Sequence, residues 1–207
     1  MKNKLRKFMS LLLALIISLS PSAAVFAVSV DEFIGNGSTV NSIVPGFDDG
    51  GGGGTPTLAN FKTKYPNNSY FSTTGKACTC HGSGCFNYSG CTCIKYEGSI
   101  QCDGFAKYVY DYFHLTRFSK YDNKLVYLNE KLNASEAKSK FLNTPMGTYI
   151  RVKTSNGSDH SIAIVGTTNE TVSIAHANYH GDCSVIYKDY TWKGFVDAFP
   201  YFANYLK

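Results

Sequence analysis

The chain has 207 residues, 43% of them hydrophobic and 14% aromatic, with a formal charge of +5 at pH 7. Lys2, Lys4, Arg6 and Lys7 lie in an N-terminal stretch without acidic residues, so positions 28–207 carry a net charge of only +1. That balance leaves no electrostatic footprint for nucleic acid, and the aromatic content points to a packed core rather than to base stacking.

Residues 1–27 have a basic start, an apolar run over 11–19 and the small-residue site Val25-Phe26-Ala27. These are the three zones of a cleavable signal peptide, and the apolar run is too short to span a bilayer. The processed protein is therefore expected to be secreted, with no membrane attachment after cleavage. Residues 28–57 are rich in Gly, Ser, Asp and Thr and culminate in Asp48-Asp49 and the run Gly50 to Gly54. Such a composition cannot bury enough apolar surface to offset ordering and reads as a flexible tether. Residues 58–207 are a usual size for one domain.

In chain order, Leu58, Phe61 and Tyr65 predict a short helix that Pro66 ends. A cysteine-rich insert follows at about 70–99, with Cys78, Cys80, His81, Cys85, Cys91 and Cys93 set among glycines and serines. From Cys102, the residues Phe105, Ala106, Val109, Tyr112 and Phe113 recur at helical spacing, so one face of a helix is apolar. Gly104 would let backbone or substrate approach the sulfur. A short helix is expected over 135–141 with Ser135 as its N-cap. Strands are expected over 148–153, 161–165, 171–177 and 184–187, as an antiparallel meander. Helices first and sheet second predict an α+β domain with the Cys102 helix packed on an antiparallel sheet.

Seven cysteines are an odd number for an exported chain, and Cys102 is the one at a helix start. The positive end of the helix dipole would favour its thiolate. His160, at the head of the strand His160-Ser161-Ile162-Ala163-Ile164-Val165, would serve as its base, and His176 or Asn178 on the next strand would orient the imidazole. If even positions pair with even ones, His160, Ile162 and Ile164 share one face with Val172, Ile174, His176 and Asn178, and His160 stands opposite His176 or Asn178. The apolar members of that face would then meet the Cys102 helix. The backbone N–H of Cys102 and the Gln101 side chain would receive an oxyanion. This chemistry needs no cofactor and no metal.

The stretch 101–178 resembles the papain-like superfamily in its compact, circularly rearranged bacterial forms, the NlpC-like and CHAP-type cell-wall peptidases and amidases. Cys102-Asp103-Gly104-Phe105 is similar to their nucleophile helix start, and His160 to Gly166 is similar to their base-bearing strand. The resemblance implies a papain-like cysteine hydrolase with peptide or peptidoglycan substrate and a possible cell-wall association. Its NlpC-like members imply His176 as third residue. Its CHAP-like members imply Asn178, followed by Tyr179, and Asn178 is the favoured choice because it leads into a turn.

Setting Cys102 aside leaves Cys78, Cys80, Cys85, Cys91, Cys93 and Cys183, which in an oxidising setting predicts three disulfides. Zinc is the competing expectation, set second because Cys-x-Cys pairs lack the usual zinc-ligand gap. A monomer is expected. The alternative function is an extracellular binding module on the same fold without turnover.

Overall fold

The structure, a computed structural model, describes residues 55–78 and 90–207. The signal segment, positions 28–54 of the tether, and Cys80, His81 and Cys85 lie outside the described residues.

Helix α1 (Leu58–Lys64) is capped by Thr57, whose hydroxyl accepts the Asn60 N–H at 3.1 Å. The insert reaches α2 (Gln101–His114), which ends at Leu115 in the left-handed region. Two single-turn 3-10 helices, Phe118–Lys120 and Asp122–Lys124, lead to β1 (Val126–Glu130). Helix α3 (Ala134–Phe141) is capped by Asn133 rather than by Ser135. The Asn133 side chain accepts the Ser135 and Glu136 N–H groups, and the Glu136 carboxylate accepts the Asn133 N–H at 2.8 Å. This reciprocal box satisfies more orphan donors than a Ser135 cap could.

The remaining elements are β2 (Thr148–Lys153), β3 (Asp159–Thr167), β4 (Thr171–Ala177), β5 (Val185–Thr191), α4 (Trp192–Ala198) and β6 (Tyr201–Leu206). They make one antiparallel sheet of six strands in the order β1-β6-β2-β3-β4-β5. The domain is thus α+β, with the expected meander at its centre. No helix among the described residues is long and apolar enough to cross a membrane.

Each face of the sheet carries its own core. Ala163, Val165, Ala175, Ala177 and Val185 pack beneath Phe105, Tyr108, Val109 and Tyr112 of α2, with Phe61 of α1. On the other face Ile162, Ile164, Val172 and Ile174 meet Phe141, Phe195, Phe199 and Phe202 from α3, α4, β6 and the turn between α4 and β6. Even positions do pair with even ones, as Ile164 with Ile174. The expectation that this isoleucine face would meet the Cys102 helix is corrected. A helix bearing large aromatic side chains approaches a sheet closely only where the sheet offers alanines, and the branched residues fill the opposite layer.

Candidate functional site

The first turn of α2 has no side-chain cap, because its N-cap residue is Ile100. Its leading N–H groups therefore keep the partial positive charge of a helix start. Gln101 enters the helix at φ 55°, in the left-handed region, and its Nε2 is buried without a hydrogen-bond partner. Gly104 is required by a neighbouring segment rather than by a substrate. A Cβ there would lie 2.8 Å from the Ser99 carbonyl oxygen.

The Cys102 side chain meets the sheet at Ser161, whose backbone N–H points at the sulfur. Burial pushes the thiol above its ordinary pKa, opposed by the Ser161 N–H and by Arg151 and reinforced by Asp103. Desolvation thus works against the lowering expected from the helix dipole and outweighs the charges that favour the thiolate.

His160 and His176 come together as expected. They are 4% and 2% exposed, and His160 Nε2 lies 2.9 Å from His176 Nδ1. Tyr179 sets its edge or face against both rings at 5.5 and 5.3 Å, and Phe199 lies parallel to His160 at 6.4 Å. Burial, with Arg151 adding, lowers His160 to about 4. Burial, then the His160, Lys188 and His180 charges, lowers His176 to about 3. Both rings are neutral at pH 7.

Strand alternation separates these rings from the body of α2. Ser161 shares the face of Ala163, whereas His160 shares that of Ile162 and Ile164. The sulfur therefore reaches β3 one residue from His160, while the imidazole leans toward the other layer. The polar groups gathered at the α2 start are different ones. Asp103 Oδ1 accepts from the Tyr149 hydroxyl at 2.7 Å and the Ser161 hydroxyl at 2.9 Å. Its Oδ2 accepts from Ser99 at 2.6 Å and pairs with Lys107 at 3.0 Å. Burial raises the Asp103 pKa, but the bonds from Ser99 and Tyr149 and the Lys107 charge bring it below the usual carboxylate range. Arg151 donates to the Ser161 hydroxyl at 3.0 Å.

The hydrogen bonds described for Asn178 lie within a turn rather than at His160. Asn178 sits at φ 62° just past β4, where its Oδ1 accepts the Cys183 N–H at 2.9 Å and its own N–H bonds the Ser184 carbonyl. Of the two residues expected beside the His160 ring, it is His176 that lies within hydrogen-bond distance of it, whereas the Asn178 side chain helps to close the turn. Sequence reasoning missed Asp103, Tyr149, Ser161 and Arg151. The available signal was an acid in the first helical turn beside Cys102, where a carboxylate needs donors around it when buried.

A surface concavity lined by Tyr110, His114, Thr116, Tyr121 and Lys124 lies at the far end of α2 from Cys102. Comparison of the chain with family models, with curated proteins and with solved structures returned no match.

Proposed function

We propose that the protein is a secreted cysteine hydrolase of papain-like type, NlpC-like or CHAP-like, cleaving amide bonds in peptide or peptidoglycan substrates as a monomer without a cofactor. The observation that carries this reading is the buried His160–His176 pair at the head of β3, where the neighbouring Ser161 N–H points at the Cys102 sulfur. A buried imidazole whose Nε2 is engaged by a second ring keeps Nδ1 for a proton. In the tautomer that serves catalysis, His160 donates from Nε2 to His176 Nδ1, leaving a lone pair on Nδ1.

Thiol and imidazole are both neutral at rest, so the chemistry is general-base catalysis rather than attack by a standing ion pair. His160 takes the Cys102 proton as sulfur bonds to the carbonyl carbon. The oxyanion is met by the Cys102 N–H and by Gln101 Nε2, the buried donor that otherwise has no partner. One such donor is worth about 3 kcal/mol of barrier. The C–N bond then breaks, His160 returns the proton to the leaving amine, and water hydrolyses the thioester with His160 again as base.

A second reading is favoured by two features: burial raises the thiol pKa, and the imidazole belongs to the opposite sheet layer. Those features suit an extracellular binding module on the same fold. One experiment divides the two. Wild-type protein and Cys102→Ala, matched in circular dichroism, are incubated with purified peptidoglycan and with a denatured protein, and new amines are identified by mass spectrometry. New amines from the wild type alone support hydrolysis. Their absence on both substrates, or their equal appearance with Cys102→Ala, refutes it.

A further inference from the structure

Three cysteines that the proposed chemistry does not use converge in one buried cluster. The sulfurs of Cys78, Cys93 and Cys183 lie within 4.8 Å of one another. Cys93 Sγ is 3.3 Å from that of Cys78 and 3.2 Å from that of Cys183. All three side chains are buried, Cys183 completely. We propose that Cys78, Cys93 and Cys183, completed by Cys91, bind one divalent cation of the zinc class in a tetrahedral thiolate site.

The geometry favours a shared ion over a covalent pair. Metal–sulfur bonds of about 2.3 Å in a tetrahedron set neighbouring sulfurs about 3.8 Å apart, and the two Cys93 separations of 3.3 and 3.2 Å lie a few tenths of an ångström inside that value. A single disulfide can join only two of the three, whereas one ion engages all three sulfurs at once. Cys91 packs against the trio, and its thiol reaches Cys93. The Cys-x-Cys spacing counts against a zinc loop built from local sequence alone. Here the other two ligands come from remote segments, so the spacing constrains only the Cys91 and Cys93 edge.

Backbone hydrogen bonds build the cluster before any ion is needed. The Phe71 N–H bonds the Cys183 carbonyl at 2.9 Å, and the Cys78 N–H bonds the Asp182 carbonyl at 2.9 Å. A bridge pairs Ser72 with Cys93. On binding, each ligating thiol releases its proton to solvent. The ion would clamp the insert to the turn after β4, the strand that carries His176. The inference stands independently of the hydrolase reading.

The test uses full-length protein in two preparations: purified without chelator, and refolded under reducing conditions with zinc chloride. Elemental analysis should give about one zinc per chain in both, released by a thiol-blocking reagent. Cys93→Ser and Cys183→Ser should fall below about a tenth of that content, while Cys102→Ser keeps it. Because core variants can fail to fold, cobalt-loaded wild type supplies a second readout. Thiolate-to-cobalt charge-transfer absorption should appear, and Cys91→Ser should lose about a quarter of it. Zinc below about a tenth of an equivalent in both preparations would overturn the site, as would a disulfide from Cys93 to Cys78 or Cys183 in the unreduced peptide map. Either failure leaves the Cys102 turnover assay to be decided on its own result.

Discussion

Moving from pH 7 to pH 5 tests whether His160 is buried as a neutral ring. Its folded pKa of about 4 lies below the ordinary 6.5, chiefly through burial. The unfolded chain therefore takes up a proton first as pH falls. The stabilising contribution is complete above 6.5 and is lost between 6.5 and about 4. At pH 5 the unfolded ring is mostly protonated and the folded one is not, which costs about 2 kcal/mol, rising to about 3 kcal/mol below pH 4. His176, lowered to about 3 by burial and then by His160, acts with the same sign.

Asp111 opposes them. It is fully buried, and burial raises its carboxyl to about 7 despite the hydrogen bond from Tyr96. The folded state takes that proton first, so Asp111 gains stability as pH falls through 7. The wild-type profile mixes both signs, and a variant separates them. His160→Gln removes the titration while leaving an amide that can hydrogen-bond His176. In urea denaturation, the stability lost between pH 7 and pH 5 should shrink by about 2 kcal/mol relative to wild type. An unchanged loss would refute the neutral, desolvated imidazole and with it the general-base scheme.

Three further outcomes are expected. Iodoacetamide should label Cys102 more slowly at pH 7 than an unburied cysteine and accelerate toward alkaline pH, followed by peptide mass spectrometry; equal rates at pH 6 and 8 would contradict the raised thiol. His176→Ala should cost kcat about 100-fold or more, whereas Asn178→Ala should cost about 1–2 kcal/mol of stability with kcat within a few fold, measured by kinetics and denaturation on folded variants. The reverse order would restore Asn178 as the orienting residue. Gly104→Ala should destabilise by about 1–3 kcal/mol in chemical denaturation, because its methyl must displace the Ser99 backbone.

Strong local periodicity explains what was legible in the chain. Phe105, Ala106, Val109 and Tyr112 name the buried side of α2, and β2 and β4 fall where alternation and turn residues set them. The missed elements lack such signals. In β1 the sequence VYLNE leaves four of five residues exposed, so no apolar alternation marks it. Helix α4 has only seven residues, too few for a periodic pattern to be distinguished from a turn. Its role is tertiary, since Phe195 and the following Phe199 fill the layer beneath Ile162 and Ile174. Strand parity placed His160 opposite either His176 or Asn178, and the structure brings His176 to its ring. The displacement of Asn178 was not readable, because it depends on Cys183 presenting an N–H from a turn whose shape the sequence does not announce.

Strand parity also explains why the proposed site draws on the α2 start from one layer and on the imidazoles from the other. Ser161 must be small and polar, because its hydroxyl bonds Asp103 while its N–H points at Cys102. That assignment sends His160 to the other face, where Phe199 and Tyr179 wall it in and His176 takes its Nε2. Desolvation on that face keeps the ring neutral, and desolvation beneath α2 keeps the thiol neutral. Their elevated and depressed proton affinities therefore have one physical origin. A substrate that brings a carbonyl to the α2 start would add charge demand at Cys102, where the uncapped N–H groups and Gln101 Nε2 await an acceptor. In the proposed mechanism, proton transfer from sulfur to imidazole becomes favourable only as negative charge forms on the substrate, which would confine nucleophilicity to the occupied site.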